Sequence, residues 1–269
     1  MWVALKGHRE EVELLVTKGA SKTLTDRFGI NILHSACLGG DVDVVNYVLS
    51  HDMADIDSRA QCKRTPMMLA AENGHKEVVE LLMGEGADMS LVDKHHDNIL
   101  YCACRRGHVE VVQYILSQGK VGISSRGSKK KRTPVMMAAA KEHKDVVEFL
   151  VEHGSDLSLV NAGGSSTLHL ASWRGHLEVV KYIVSKYKLN INSRGWKKKT
   201  PVIVAAAKGH KDVGGHLEVV KYIVSQNKVD INSRGSKKKT PVMVAAANGH
   251  KKLVEFLIRK GADAIGFKR

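Results

Sequence analysis

The sequence predicts an all-α repeat solenoid, and three observations support this fold class. One sequence register returns along most of the chain, and its starts are Asn31, Thr65, Asn98, Thr133, Ser166, Thr200 and Thr240. The first six starts lie 34, 33, 35, 33 and 34 residues apart, and a fixed interval of this length is typical of stacked helical repeats. Each repeat also contains two short apolar segments with helical spacing, and glycine commonly follows each segment.

The last repeat, from Thr240 to Asp263, illustrates why each element forms. Pro241 suits the first helical position, because the amide hydrogen that it lacks has no partner there, and the alanines that follow favour a helix. Gly249 ends this first helix, and Gly261 ends a second one. The second helix places four apolar residues on one face: Leu253, Val254, Leu257 and Ile258. Helices this short are marginal alone, so the repeats must stack to stabilise one another.

Recurrent short motifs accompany the interval. Gly-His recurs in the turn between the two helices, at Gly7, Gly74, Gly107, Gly175, Gly209 and Gly249. The tetrapeptides that end at His34 and His169 are similar to Thr-Pro-Leu-His, and with the interval of about 33 residues these motifs resemble the ankyrin repeat. The resemblance implies a helix-turn-helix in every repeat and a connector that projects as a β-hairpin finger. It also implies that the turn histidines, His34 and His169 are structural and bond the backbone of adjacent turns.

The resemblance covers nearly the whole chain and predicts a single array over residues 1–269. The expected repeats are 1–26 (partial), 27–60, 61–93, 94–128, 129–161, 162–195, 196–235 and 236–269. The last interval between starts is 40 residues, and Gly-His occurs twice near this discontinuity, at Gly209 and Gly215. We predict a second helix from His216 to Ser225 and a looped insertion from His210 to Gly215, because two adjacent glycines are a poor helix interior.

Composition and motifs argue against several classes of protein. No apolar run approaches the roughly 18 residues of a membrane span, and no apolar secretory leader is present, so a cytoplasmic location is expected. Catalytic, phosphate-binding and dinucleotide-binding motifs are missing, so we expect neither enzymatic activity nor a cofactor. Cys102 and Cys104 have the spacing of half a zinc site, but the second half is missing and no metal site is expected. The basic cluster from Lys129 to Arg132 matches a nuclear-import signal, which leaves a nuclear location open.

The formal net charge is +14, and positive residues are concentrated at the finger tips and at the ends of the first helices. In ankyrin repeats these positions line a concave face and contact partners. We therefore predict a partner-binding set of Arg64, Arg105, Arg106, Lys129, Lys130, Arg132, Lys141, Trp173, Arg174, Trp196, Lys197, Lys199, Lys208, Lys237 and Lys239. Trp173 and Trp196 fall in consecutive repeats, and tryptophan beside arginine is typical of an interface hot spot. Lysine runs also favour solubility, and this alternative explanation of the charge stays open.

The leading hypothesis is a non-enzymatic scaffold that binds an acidic or phosphorylated protein segment through its concave face and basic fingers. Fingers on alternate repeats are expected roughly 20 Å apart, beyond the Debye length, so each cluster acts as a separate anchor. One alternative is electrostatic binding of nucleic acid or of an anionic membrane surface. Another is that the chain is the recognition part of a larger multidomain signalling protein. Apolar surface at the two ends of the array would also allow end-to-end self-association.

Overall fold

The computed structural model describes residues 1–127, 130–187, 189–208 and 215–263. These residues form two compact units, Met1–Lys129 and Lys130–Arg269, which we call the first and the second unit. Each unit is built from successive helix pairs, so the predicted all-α repeat architecture is confirmed.

Each repeat contributes one pair of helices. In the first unit these are α1 (Trp2–Leu5), α2 (Arg9–Thr17), α3 (Ile32–Gly39), α4 (Val42–Ser50), α5 (Pro66–Asn73), α6 (Lys76–Gly84), α7 (Ile99–Arg106) and α8 (Val109–Ser117). In the second unit they are α9 (Pro134–Ala140), α10 (Lys144–Glu152), α11 (Thr167–Arg174), α12 (Leu177–Lys186), α13 (Pro201–Lys208), α14 (Gly215–Val224), α15 (Pro241–Ala247) and α16 (Lys251–Arg259).

The first helix of each pair forms the core of each unit. Helices α1, α3, α5 and α7 pack side by side in the first unit, and α9, α11, α13 and α15 do so in the second. Several of these first helices begin after a polar residue that caps them. The Asn98 side chain accepts a hydrogen bond from the Tyr101 amide, and the Thr65 side chain accepts one from the Met68 amide. Small or apolar residues fill these helices, and most are buried because each helix has neighbours on several sides.

The turn histidines tie consecutive repeats together. His75, His108, His176 and His216 each place Nε2 within 2.9 to 3.2 Å of a carbonyl oxygen at the end of the preceding repeat's first helix. His34 and His169 instead contact the carbonyl oxygens of Arg64 and Lys199, at 3.1 and 3.0 Å. These bonds satisfy helix-end and finger carbonyls that have no partner within their own helix. The structural interpretation of these six histidines is confirmed, whereas His210 lies outside the described residues.

The fingers are tight turns, and none of the described residues belongs to a β-strand. The turn from Trp196 to Lys199 is closed by a hydrogen bond from the Lys199 amide to the Trp196 carbonyl, and the Gly195 amide donates to the Lys199 carbonyl. Its two central residues, Lys197 and Lys198, have φ of 54° and 56°. The turn that contains Lys237 and Lys238 repeats this geometry. Positive φ at both central residues is the geometry of a type I′ turn, which normally carries asparagine and glycine.

The irregular repeat has its second helix close to the predicted place. Helix α14 begins at Gly215 and ends at Val224, one residue earlier at each end than the prediction of His216 to Ser225. The rest of the predicted insertion, residues 210–214, lies outside the described residues. His216 makes the same kind of carbonyl contact as the sister histidines, so this repeat resumes the regular register at α14.

Two further features bear on the function. Within the described ranges, every helix is too short or too polar to cross a lipid bilayer. Over the same ranges, histidine, cysteine and carboxylate side chains form no group of three that could hold a metal ion. The four cysteines are free thiols, and burial raises the pKa of Cys102 to about 11.

Candidate functional site

Two positions of the repeat lie next to each other where a finger meets the end of a first helix. We call the residue directly before each repeat start the finger-base position, and the seventh residue after the start the helix-end position. The finger-base residues are Ile30, Arg64, Asp97, Arg132, Ser165, Lys199 and Lys239. The helix-end residues are Leu38, Glu72, Arg105, Ala140, Trp173, Ala207 and Ala247.

In the first unit these positions form a charge cluster around Glu72. Its carboxylate is buried and pairs with Arg64, with Arg105 at 2.9 Å and with Arg106 at 3.4 Å. Arg105 lies 3.9 Å from the carboxylate of Asp97, which is also buried. Burial alone would raise the pKa of Glu72, but the guanidinium groups of Arg64, then Arg105 and Arg106, outweigh it and hold that pKa below its ordinary value. Glu72 is therefore charged at neutral pH.

This cluster changes the interpretation of three predicted contact residues. Arg64, Arg105 and Arg106 all pair with the single carboxylate of Glu72, so part of their positive charge is offset within the protein itself. Arg64 and Arg105 are also mostly buried along their side chains, whereas Arg106 is 65% exposed. The first two are therefore parts of the folded framework, and only Arg106 presents much of its side chain to solvent.

In the second unit the same positions form an open groove, which we call the tryptophan groove. It has a volume of about 470 Å³ and is lined by Lys130, Arg132, Asn161, Gly163, Ser165, His169, Leu170, Trp173, Trp196, Lys199, Val204, Ala207 and Lys208. Trp173 stands at the helix-end position between repeats that carry Ala140 and Ala207 there. Because the neighbouring helix-end side chains are methyl groups, space remains beside the tryptophan. Among the described residues that line this groove, none is acidic.

Basic side chains flank both tryptophans of the groove. The Arg174 Cζ lies 4.5 Å from the Trp173 ring centroid, and the Lys208 Nζ lies 5.2 Å from it. The Lys197 Nζ and Lys199 Nζ lie 4.3 and 5.8 Å from the Trp196 ring centroid. Trp196 is 55% exposed, and Trp173 is partly buried and lines the groove. The four contacts are within cation–π range, so the rings hold the basic side chains in place.

The framework of the tryptophan groove is held by hydrogen bonds from neighbouring repeats. The Nε2 of His169 contacts the Lys199 carbonyl, so the Trp196 finger is attached to α11. Burial lowers the pKa of His169, which favours the neutral ring in which one nitrogen accepts the Ser166 amide hydrogen and the other donates. Asn161 folds the intervening finger by accepting hydrogen bonds from the amides of Gly163 and Ser165. A Cβ at Gly163 would stand 3.6 Å from the Trp196 ring, at ordinary van der Waals distance, so the turn that Asn161 forms lies close to this ring.

A second groove, which we call the lysine groove, lies on the other side of the Trp196 finger. Its volume is about 290 Å³, and it is lined by Lys197, Lys199, Ile203, Ala207, Gly235, Ser236, Lys237, Lys239, Val244, Ala247 and Asn248. Four lysines line this groove, and none of its described lining residues is aromatic. The irregular interval brings two lysine-rich fingers into adjacent repeats. The expectation that the lysine clusters act as separate anchors is therefore wrong for these two, because they share one groove.

The net positive charge of the chain comes from the second unit. Residues 1–129 contain 15 Lys and Arg against 17 Asp and Glu, a net charge of −2, whereas residues 130–269 contain 27 against 11, a net charge of +16. Partial burial and the nearby charges of Lys197 and Lys208 lower the pKa of Lys199. The buried Nε of Arg132 has no hydrogen-bond partner. The tryptophan groove thus contains repelling cations and an unsatisfied donor, both of which an anion would relieve.

The structure brings ten members of the predicted set together and leaves five elsewhere. Lining or flanking the two grooves are Lys130, Arg132, Trp173, Arg174, Trp196, Lys197, Lys199, Lys208, Lys237 and Lys239. Lys141 is exposed and lines neither groove, and Arg64, Arg105 and Arg106 surround Glu72. Lys129 lies outside the described residues. The sequence analysis did not predict Gly163 and Ala207 as site residues. Small residues at finger and helix-end positions could have indicated open space there.

Comparison with known proteins agrees with this architecture. The family model described as ankyrin repeats (3 copies) matches residues 1–93, 52–125, 73–161, 120–195 and 168–265. Ankyrin repeat domain-containing protein 63 of Mus musculus is 36% identical over 166 residues, which cover 58% of this chain and 42% of that protein. Ankyrin repeat and KH domain-containing protein mask-1 of Caenorhabditis elegans is 32% identical over 155 residues, covering 57% of this chain and 6% of that protein.

A palmitoyltransferase AKR1 of Lachancea kluyveri is also similar, with 26% identity over 155 residues that cover 56% of this chain and 21% of that protein. The chain thus spans less than half the length of each of these relatives. Ankyrin repeats generally serve as protein-interaction modules and are typically non-enzymatic scaffolds. The family model matches nearly all of the sequence, and the helix pairs and turn histidines follow its interval; the chain belongs to the ankyrin repeat family.

Proposed function

We propose that this chain is a non-enzymatic protein-interaction module that binds an acidic or phosphorylated segment of a partner in the tryptophan groove. The observation that carries the proposal is a contrast at one pair of positions. The finger-base cation Arg64 pairs with Glu72, whereas Arg132 and Lys199 stand in repeats whose helix-end residue is alanine. The groove therefore has cations without carboxylates, next to two tryptophans that can cover an apolar part of the ligand.

Nucleic acid and anionic membranes are the competing ligands, and their affinity also falls as salt screens the charges. The rings of the groove favour a peptide over a single-stranded nucleic acid. Stacking along a strand uses a series of aromatic side chains for successive bases, whereas the described lining of the groove has two tryptophans, each beside a basic side chain at 4.3 or 4.5 Å from the ring centroid. The groove also has an apolar side formed by Leu170, Val204 and Ala207, which suits an aliphatic side chain.

Fluorescence anisotropy with labelled acidic peptides and phosphopeptides tests the proposal. The double substitution Lys199→Gln with Lys208→Gln should weaken binding about tenfold, because two uncompensated charges of the groove are removed. Lys251→Gln with Lys252→Gln is the matched control, since these exposed lysines of α16 lie outside both grooves and the charge change is equal. The control should change affinity less than about twofold.

Equal effects of the two double substitutions would mean that only net charge matters and would overturn the proposed site. Pull-downs with and without nuclease, together with sedimentation on phosphatidylserine vesicles, separate the competing ligands. Partner capture that survives nuclease supports the proposal. Capture that vanishes with nuclease, or groove-dependent binding to vesicles alone, contradicts it.

A further inference from the structure

The two grooves are adjacent but differ in the chemistry that each can hold. The tryptophan groove combines aromatic and aliphatic side chains with cations around its edge. The lysine groove presents Lys197, Lys199, Lys237 and Lys239 together, with only small or aliphatic residues besides polar ones. An apolar side chain fits the first groove, and a compact group of high negative charge fits the second.

The two grooves border each other at the base of the Trp196 finger. Lys199 and Ala207 line both of them, so a ligand in one groove has the other groove directly beside it. Helices of adjacent repeats lie about 8–10 Å apart, so neighbouring grooves are separated by about 10 Å. An extended peptide advances about 3.3 Å per residue, and this separation corresponds to about three residues.

The lysine groove favours a phosphoryl group over a carboxylate. The side chains of four lysines line it, and none of its described lining residues is a carboxylate. One carboxylate supplies a single negative charge, whereas a phosphoryl group supplies nearly two charges and three acceptor oxygens that several ammonium groups can share.

We infer that the partner segment is a phosphorylated peptide with an apolar side chain about three residues from its phosphoserine or phosphothreonine. The apolar side chain occupies the tryptophan groove, and the phosphoryl group occupies the lysine groove. This inference rests on the proposed function and adds to it the charge type, the apolar anchor and the spacing between them.

The test uses the full chain and a set of fluorescein-labelled peptides in an alanine and glycine background. One leucine is placed three residues from a phosphoserine, on either side, and companion peptides place it one residue away. Further companions replace the phosphoserine by serine or by glutamate, and the leucine by alanine. The phosphopeptide with three-residue spacing should bind about tenfold more tightly than the one-residue, serine and glutamate forms.

Protein variants assign each group to its groove. Lys237→Gln with Lys239→Gln should reduce the phosphopeptide to the affinity of its serine form and leave the serine form unchanged. Ala207→Glu should weaken both, because it introduces a carboxylate where the two grooves meet. Lys251→Gln with Lys252→Gln again serves as the control and should leave the spacing preference intact.

The outcomes separate this inference from the proposed function. Acidic peptides or phosphopeptides that bind in a Lys199-dependent way, but with equal affinity at all spacings, would overturn the inference and leave the proposed function standing. A glutamate form that binds as tightly as the phosphoserine form would have the same meaning. If no anionic peptide binds the wild type more tightly than the Lys199→Gln, Lys208→Gln variant, both are contradicted.

Discussion

Arg64 in the first unit and Lys199 in the second occupy the same position of the repeat, yet they have different surroundings. Eight residues after Arg64 stands Glu72, which pairs with it, whereas eight residues after Lys199 stands Ala207. Arg64 is thereby held in an ion pair within the protein, whereas Lys199 lines a groove beside other cations. The comparison teaches that one helix-end residue decides whether a finger cation supports stability or is available to a ligand.

The largest expected effect is the loss of stability that follows removal of the Glu72 carboxylate in the first unit. Glu72→Ala should destabilise the full chain by about 3 kcal/mol, because the mostly buried Arg64 loses its carboxylate partner and Arg105 loses the nearer of its two carboxylates. Urea unfolding, together with hydrogen exchange of the amides in α5 and α7, measures this change. Glu80→Ala is the control, since its pair with Lys76 at 3.2 Å is exposed and should matter by less than about 0.5 kcal/mol. Equal losses would contradict a special role for Glu72.

Acidification should remove the same contribution. The pKa of Glu72 is lower in the folded chain than its ordinary value of 4.5, so its ion pairs stabilise fully above that value. This stability is lost as the pH falls through the lowered folded pKa. The difference in unfolding free energy between wild type and Glu72→Ala should therefore shrink between about pH 6 and pH 3. A difference that stays constant over this range would show that charge at Glu72 is not the cause.

Truncation of the groove tryptophan should give the next largest effect. Trp173→Ala should weaken binding of an acidic peptide or phosphopeptide by about 2 kcal/mol, because a central, partly buried aromatic residue is the usual form of a hot spot. Trp196→Ala should cost less, since its side chain is 55% exposed at the edge of the groove. Anisotropy titrations measure both, and circular dichroism checks that the helices are retained. The reverse order of effects would argue against a central role for Trp173.

Transplanting the acid from the first unit into the second tests the comparison directly. Ala207→Glu should pair with Lys199 as Glu72 pairs with Arg64, and should weaken anionic peptide binding about tenfold. Thermal unfolding should change little, because Ala207 is only partly buried. Asn227→Glu introduces the same charge at an exposed position that lines neither groove, and should weaken binding less. Similar losses for both variants would indicate that only net charge matters.

The smallest expected effect concerns the strained finger. Lys198→Gly should stabilise the chain by about 0.5 kcal/mol, since relief of the positive φ exceeds the entropy cost of glycine. Lys199→Gly should instead destabilise it, because Lys199 has an ordinary φ of −78°. Urea unfolding distinguishes the two. A loss of stability in Lys198→Gly would show that its lysine contributes to the fold rather than only to the surface charge.

Much of the fold was predictable, because repeat starts, caps and apolar spacing are local signals. The site was predictable only in part. The sequence placed Trp173 and Trp196 at contact positions, but their sharing of one groove depends on the turn that Asn161 forms between the fingers. Arg64 was predicted to face a partner, because its proximity to Glu72 is visible only when the finger is placed against the helix end.

The sequence by itself determined the repeat interval, the helix pairs and the structural role of the turn histidines, because each depends on contacts that every repeat makes in the same way. Tertiary structure alone decided which cations pair with a carboxylate and which line the two grooves. These outcomes depend on the side chain that packing places opposite each cation, and neighbouring repeats differ at that position. The same stacked helices therefore carry a stabilising charge cluster in one unit and an open basic groove in the other.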